Sequence, residues 1–315
     1  MTKENFDIVS ALMKIYIPKK LIAVVLIIGN SMLNAEDVSS EIFEKLDRPL
    51  TEIGFKQDSV ISSDGVEINY FISGSNKEAL VFVHGFSCSS KYWLAQLQHF
   101  SKQHTVVAID LAGHGDSGIN REIYNMDAFG KDVASVVNDL DLEHVTLIGH
   151  SMGGPVIVEA ANELGDTVDL LIGVDTLHDI TGEPIGRVPG LIVNTMFKFF
   201  YESMTEDIIA DFFIESTDVF LKKWIREDAL KANKEAAQGS LNALLTMNYP
   251  ENLNALSVPI KVINARNFRE TMLDDNLASY KNIEIDFFED VGHFIMMEKP
   301  SEFNEWLELK ISQRD

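Results

Sequence analysis

One cysteine, Cys88, stands in 315 residues. No intrachain disulfide can form, so the fold must rest on its core, and the composition demands neither an oxidising nor a reducing compartment. No Cys/His cluster has the spacing of a zinc site. There is no low-complexity stretch and no internal repeat, which excludes linker-like and solenoid architectures. Basic residues are scarce, 26 Lys and Arg against 49 Asp and Glu, for a net charge of −23. Such a surface repels nucleic acid and anionic membrane, so neither is expected as a partner. Apolar residues, by contrast, make up 46% of the chain, enough for one large α/β domain carrying an insertion.

The N-terminus reads as separate from that domain. Lys19 and Lys20 precede an apolar run over 21–28, and small and polar residues lead to Ala35 and the acidic Glu36-Asp37. A basic stretch, a short apolar core and a small residue before a polar start describe a secretory signal peptide over 1–35, with Met13 available as an internal start. The run is too short to span a bilayer comfortably. The expectation is an extracytoplasmic protein, periplasmic or secreted, with no stable membrane span after cleavage. An uncleaved N-terminal anchor is the alternative.

From residue 57 the chain takes on a period. Residues 57–72 read as two strands around a turn at Asp64-Gly65. Short buried strands follow at 79–83, 105–109, 145–148 and 170–174, separated by helices over 90–101, 126–140 and from Met152 to about Leu164. Strands of four to six mostly β-branched residues alternating with helices imply a mostly parallel sheet covered on both faces. The alternation stops between about Leu177 and Leu256, a Phe-rich stretch that reads as helical. It resumes with strands at 260–263 and 283–288, a short helix between them and a last helix from near Pro300. A helical block of that size between two strands suggests a lid. The expected division is a core over 50–176, a helical lid over 177–256 and the rest of the core over 257–315.

Gly149-His150-Ser151-Met152-Gly153 fits G-x-S-x-G and sits between a strand and a helix. That is the setting of a nucleophile elbow, a sharp turn that pushes the serine out. His84-Gly85-Phe86 follows the strand ending at Val83. Acyl transfer needs two backbone N–H groups aimed at the developing oxyanion. Met152, at the start of a helix, and Phe86 are the candidates for those donors, with His84 bracing its loop. A serine nucleophile also needs a base, and His293, in Val291-Gly292-His293-Phe294 after the last strand, is the candidate. His99, His104 and His144 read as surface residues. His114 lies in a Gly-rich loop, and His150 is inside the elbow and expected to point into packing.

These pieces, with Asp110-Leu111-Ala112-Gly113-His114-Gly115-Asp116-Ser117, are collinear over roughly 57–312 and resemble the α/β-hydrolase superfamily. The resemblance implies an eight-stranded core sheet, a lid inserted after the sixth strand and the triad order Ser, acid, His. Many relatives carry the acid after the seventh strand. Here that stretch is Asn264-Ala265-Arg266-Asn267-Phe268, and Phe268 stands where the Asp is expected. Some relatives place the acid one strand earlier, where Asp175 follows Val174. Asp175 is the leading candidate, at the C-terminal end of a strand where site residues collect. Glu270, Asp274 and Asp275 remain open, as does the reading in which Asp175 only caps a helix.

The expected reaction is hydrolysis of a carboxylic ester or lactone of a small, largely apolar substrate through an acyl-enzyme. It calls for no cofactor and no metal. Cleavage of a C–C or amide bond, acyl transfer and a non-catalytic small-molecule receptor on the same fold are the alternatives. Dehalogenase and epoxide-hydrolase chemistry is disfavoured, since those relatives have Asp where Ser151 stands. Nothing in the sequence sets the oligomeric state.

Overall fold

The structure, a computed structural model, describes residues 43–182, 195–248, 253, 256–266 and 268–313. The expected signal segment over 1–35 lies outside the described residues, as do parts of the expected lid.

Eight strands form one sheet: β1 (Lys56–Ile61), β2 (Glu67–Ser73), β3 (Glu78–Val83), β4 (Thr105–Ile109), β5 (His144–His150), β6 (Val168–Val174), β7 (Ile260–Ala265) and β8 (Ile283–Phe288). Their order across the sheet is β1-β2-β4-β3-β5-β6-β7-β8. β2 runs antiparallel to both of its neighbours, and every pairing from β4 to β8 is parallel. This is the mostly parallel sheet that the strand–helix alternation predicts. The β1–β2 hairpin turns at Asp64-Gly65, where Ser62 N–H donates to Val66 O at 2.8 Å and Gly65 takes a φ of 90°.

Alternate residues of each strand enter opposite cores, as the two-residue period of a strand requires. Val81, Val107, Leu147, Leu171 and Val262 face one side. They bury α2 (Met126–Asp139) through Phe129, Val133, Val136 and Val137, and α3 (Gly153–Leu164) through Val156, Ile157 and Ala160. Leu80, Phe82, Ala108, Ile148, Ile172 and Ile263 face the other, against α1 (Leu94–Phe100) and the C-terminal helix Pro300–Ser312 through Leu97, Phe303 and Leu307. Each buried Val, Leu, Ile or Phe among them contributes about 1.5–3 kcal/mol. Leu46 and Leu50, ahead of β1, are buried in this second core as well.

Between β6 and β7 lie α4 (Tyr201–Ala210), α5 (Val219–Ala229) and α6 (Lys234–Thr246). Leu221, Trp224 and Ile225 of α5 join the second core, whereas Ala236 and Ala237 of α6 join the first. The helix expected over 90–101 opens as a 3-10 turn, Ser90–Trp93, and becomes α-helical only at Leu94. Ser90 N–H is committed to Asp110 Oδ1 at 2.7 Å, which anchors the start of this helix to the loop after β4. After β7 come α7 (Leu273–Ser279), α8 (Ile295–Glu298) and α9 (Pro300–Ser312), the last with proline in its first turn. Among the described residues no helix is long and apolar enough to cross a membrane.

Candidate active site

The site is built where β3, β5, β6 and β8 end. β5 stops at His150, Ser151 takes a φ of 52°, and α3 begins at Gly153. A non-glycine residue in the left-handed region is strained, and such strain gathers at functional turns. The turn closes tightly because Gly149 has no side chain: a Cβ there would sit 2.3 Å from Gly153 O. The backbone of Ser151 is held by Val174 O, which accepts its N–H at 2.9 Å, and by Thr176 Oγ1, which donates to its carbonyl at 2.7 Å.

The loop after β3 comes up against this elbow. A Cβ on Gly85 would meet Ser151 Cβ at 3.1 Å and His150 Nδ1 at 2.8 Å, so only glycine allows that approach. Phe86 and Met152 are both buried. Among the described residues neither N–H donates to an acceptor. Met152 also caps the N-terminus of α3, where the helix dipole favours negative charge. His84 accepts Leu111 N–H on Nε2 at 3.1 Å, which places its proton on Nδ1, 2.8 Å from Gly85 O. It thereby links the loops after β3 and β4.

His293 lies on the turn between β8 and α8. Its N–H donates to Phe212 O at 3.0 Å, and its carbonyl accepts from His150 Nε2 at 3.0 Å. Glu298 closes the turn from below: its carboxylate accepts the N–H groups of Gly292 and Phe294 at 3.2 and 3.3 Å, and the Thr217 hydroxyl at 2.7 Å. The imidazole is surrounded by rings, with centroids of Phe212 at 4.3 Å, His150 at 4.6 Å and Phe268 at 4.9 Å.

Asp175 is the carboxylate that meets this histidine. It follows β6 directly, with a φ of 45°. His293 Nδ1 donates to its Oδ2 at 2.5 Å, and Ala265 N–H, at the end of β7, donates to its Oδ1 at 2.8 Å. The Asp175 N–H is used as well, on Ile263 O at 2.8 Å. With the His293 proton on Nδ1, Nε2 is left with a lone pair. Glu270, Asp274 and Asp275 are exposed. Asp274 and Asp275 stand in the first turn of α7, where acidic side chains complement the helix dipole.

Burial sets the charges. It lowers the His293 imidazole to about 3, with Arg269 adding repulsion, so the ring is neutral near pH 7. Burial raises the Asp175 carboxyl to about 6, opposed first by His178 and then by the Ala265 N–H and Arg269. His150 and His84 are held well below the ordinary value, again chiefly by burial. Among the described residues no group of three or more His, Cys, Asp or Glu is placed to hold a metal ion.

Sequence reasoning passes over three contributors. Glu298 has a local signature, a carboxylate four to six residues beyond the N–H groups that it accepts. Phe212 and His178 have none that stands apart from their neighbours, since the folded segments between β6 and β7 bring them in. His178 Nε2 lies 3.6 Å from Asp175 Oδ1.

A family model described as "Alpha/beta hydrolase family" matches residues 80–306. The chain belongs to the alpha/beta hydrolase family. It is similar to the AB hydrolase superfamily protein YisY of Bacillus subtilis, 26% identical over 236 residues that cover 71% of this chain and 88% of that one. Among solved structures it resembles a thermophilic esterase from Thermogutta terrifontis, with a TM-score of 0.71, 22% identity, and 82% and 99% of the two chains covered. It also resembles the enol-lactonase from Burkholderia xenovorans LB400, with a TM-score of 0.69, 19% identity, and 81% and 100% covered. The chain spans 29% of the length of uncharacterized Mycobacterium tuberculosis and Mycobacterium bovis proteins, to which it is 36% identical over 101 residues.

Proposed function

We propose that this hydrolase cleaves a carboxylic ester or lactone of a small, largely apolar substrate, with Ser151 as nucleophile, His293 as base and Asp175 as the acid that orients it. The observation that carries the reading is the buried Asp175–His293 contact of 2.5 Å. It fixes the tautomer in which Nε2 is the acceptor, and that nitrogen must come within hydrogen-bond reach of Ser151 Oγ for the reaction to start.

Ser151 Oγ attacks the carbonyl carbon while its proton passes to His293 Nε2. The carbonyl oxygen becomes an oxyanion that the N–H groups of Phe86 and Met152 receive. The tetrahedral intermediate collapses, the His293 proton goes to the leaving alkoxide, and an acyl-serine remains. Water, deprotonated by the same nitrogen, attacks the acyl carbon; the bond to Ser151 Oγ then breaks, the proton on Nε2 returns to that oxygen, and the carboxylic acid leaves. Asp175 keeps its charge and holds the imidazolium that forms in each half. The apolar preference rests on Phe86, Phe197, Phe212 and Phe268, with Phe86 and Phe197 centroids 6.2 Å apart and Phe212 and Phe268 5.9 Å apart. In this reading the segment carrying Phe197 and Phe212 serves as the lid.

Ser151→Ala is expected to lower turnover of a short p-nitrophenyl ester by about 10⁴-fold or more, leaving thermal melting unchanged. Near wild-type turnover in that variant would sink the serine mechanism. Labelling of Ser151 by a fluorophosphonate with no turnover of any ester or lactone would favour a receptor instead.

A further inference from the structure

The triad reading leaves one charge-bearing atom undersupplied. Asp175 is 1% exposed, and a carboxylate offers about four lone-pair positions. Two are filled, by His293 Nδ1 and Ala265 N–H. A buried anion with so few donors is costly. A third donor is at hand in His178, whose Nε2 is buried, has no hydrogen-bond partner among the described residues, and lies 3.6 Å from Asp175 Oδ1.

A chain of donors runs to His178. Thr176 N–H donates to Asn264 Oδ1 at 3.0 Å, and a backbone N–H can only donate, so the amide of Asn264 is oriented. Asn264 Nδ2 then donates to Thr271 Oγ1 at 3.0 Å. That leaves the Thr271 hydroxyl proton free to point at His178 Nδ1, 3.0 Å away. The choice of tautomer is made at the other nitrogen: a lone pair on Nε2 would face the Asp175 carboxylate, whereas a proton there is attracted to it, so we assign the proton to Nε2. The backbone of His178 is fixed in place: its carbonyl accepts from Met272 N–H at 2.7 Å and Asn276 Nδ2 at 3.1 Å.

We infer that His178 is a positioning residue, a second histidine on the acid, whose Nε2–H holds Asp175 ionised and in register with His293. The inference rests on the proposed serine mechanism. At 3.6 Å the two atoms are beyond a hydrogen bond, and a shift of a few tenths of an ångström closes the gap as charge develops on His293. A donor on Oδ1 makes Asp175 a weaker base, so the proton stays on the imidazole instead of moving to the carboxylate. His178 itself is neutral near pH 7, since burial lowers it to about 4. Among the described residues, the other titratable or charged groups acting on this contact are His293, with His150 against its ring, Glu298 from α8 and the exposed Arg269 after β7.

Three measurements on the full chain test the inference. In His178→Leu, kcat should fall about tenfold with KM within about twofold, because only a transition-state contact is lost. The acidic limb of the kcat/KM profile should move to higher pH, because the His293–Asp175 pair loses the donor that disfavours its protonation. His178→Gln, which keeps an N–H at similar reach, should recover most of kcat and return the limb. In the wild-type protein, ¹⁵N NMR at neutral pH should find the His178 proton on Nε2. A proton on Nδ1 overturns the inference, as does His178→Leu with kcat and acidic limb unaltered. The latter, alongside an inactive Ser151→Ala, removes this inference alone. Turnover surviving in Ser151→Ala removes the serine mechanism and the inference with it.

Discussion

The ends of β6 and β7 lie side by side, and the sequence makes opposite offers at each. After β6 comes Asp175, buried, in a left-handed backbone conformation and paired with His293. At the end of β7 and just after it, where relatives of this fold often place the acid, come Ala265 and Phe268: one gives a backbone N–H to Asp175, the other a ring 4.9 Å from the histidine. The end of β7 supports the Asp175 carboxylate, and the parallel register that pairs Val174 with Ile263 sets the distance between them. A site of this kind specifies where the carboxylate must be in space, and two neighbouring strand ends can both reach that point.

The largest effect should come from breaking the β6 side. Asp175→Asn leaves Ala265 N–H an acceptor but turns an amide N–H toward His293 Nδ1, which forces the wrong tautomer. Ester turnover is expected to fall by about 10³–10⁴-fold, with Ser151 still labelled slowly by a fluorophosphonate. Adding Phe268→Asp to that variant restores a carboxylate on the β7 side and should recover about tenfold of the loss. No recovery would mean that the β7 loop has drifted too far to hold an acid.

A smaller effect is expected in the pH profile. The ordinary imidazole value is near 6.5, and burial lowers His293 to about 3 while it raises Asp175 to about 6. A proton taken up by either group disables the base, and neither takes one above about pH 6. The acidic limb of kcat/KM should therefore fall at or below about pH 6, not at the free-imidazole value, as a stopped-time ester assay across pH 4–8 would show. The same burial has a consequence for stability. The folded Asp175 binds its proton more tightly than the unfolded one, so its contribution to stability is complete below its ordinary value of 3.8 and is lost as pH rises to about 6.

Much of the geometry of this candidate site was legible because its residues are contiguous. Strand, Gly149-His150-Ser151-Met152-Gly153 and helix are contiguous, and the tight turn is written in glycines whose Cβ atoms would collide. The mostly parallel sheet followed from the alternation of short apolar runs with amphipathic helices, whereas the crossover that sets β4 between β2 and β3 did not. The candidate acid was harder: Asp175 led in sequence by its place at a strand end, with Glu270, Asp274 and Asp275 left open, and what separates them is the buried contact with His293 against three exposed side chains. His178 and Phe212 were beyond reach. What distinguishes them is an unsatisfied ring nitrogen and a carbonyl on His293 N–H, both properties of packed segments between β6 and β7.

The smallest effect sharpens the comparison from its quiet side. Glu270, Asp274 and Asp275 follow β7 and satisfy the chain order Ser, acid, His as well as Asp175 does. All three are exposed, and Asp274 and Asp275 lie in the first turn of α7. There a carboxylate interacts with the helix N-terminus for about 0.3–1 kcal/mol, a stability term with no path to the imidazole. Glu270→Gln and Asp274→Asn should each leave kcat and KM of ester hydrolysis within about twofold, and Asp274→Asn should lower the melting temperature by about 1–3 °C. A drop of tenfold or more in kcat for either would place a working acid on the β7 side and return Asp175 to the role of a buried structural carboxylate.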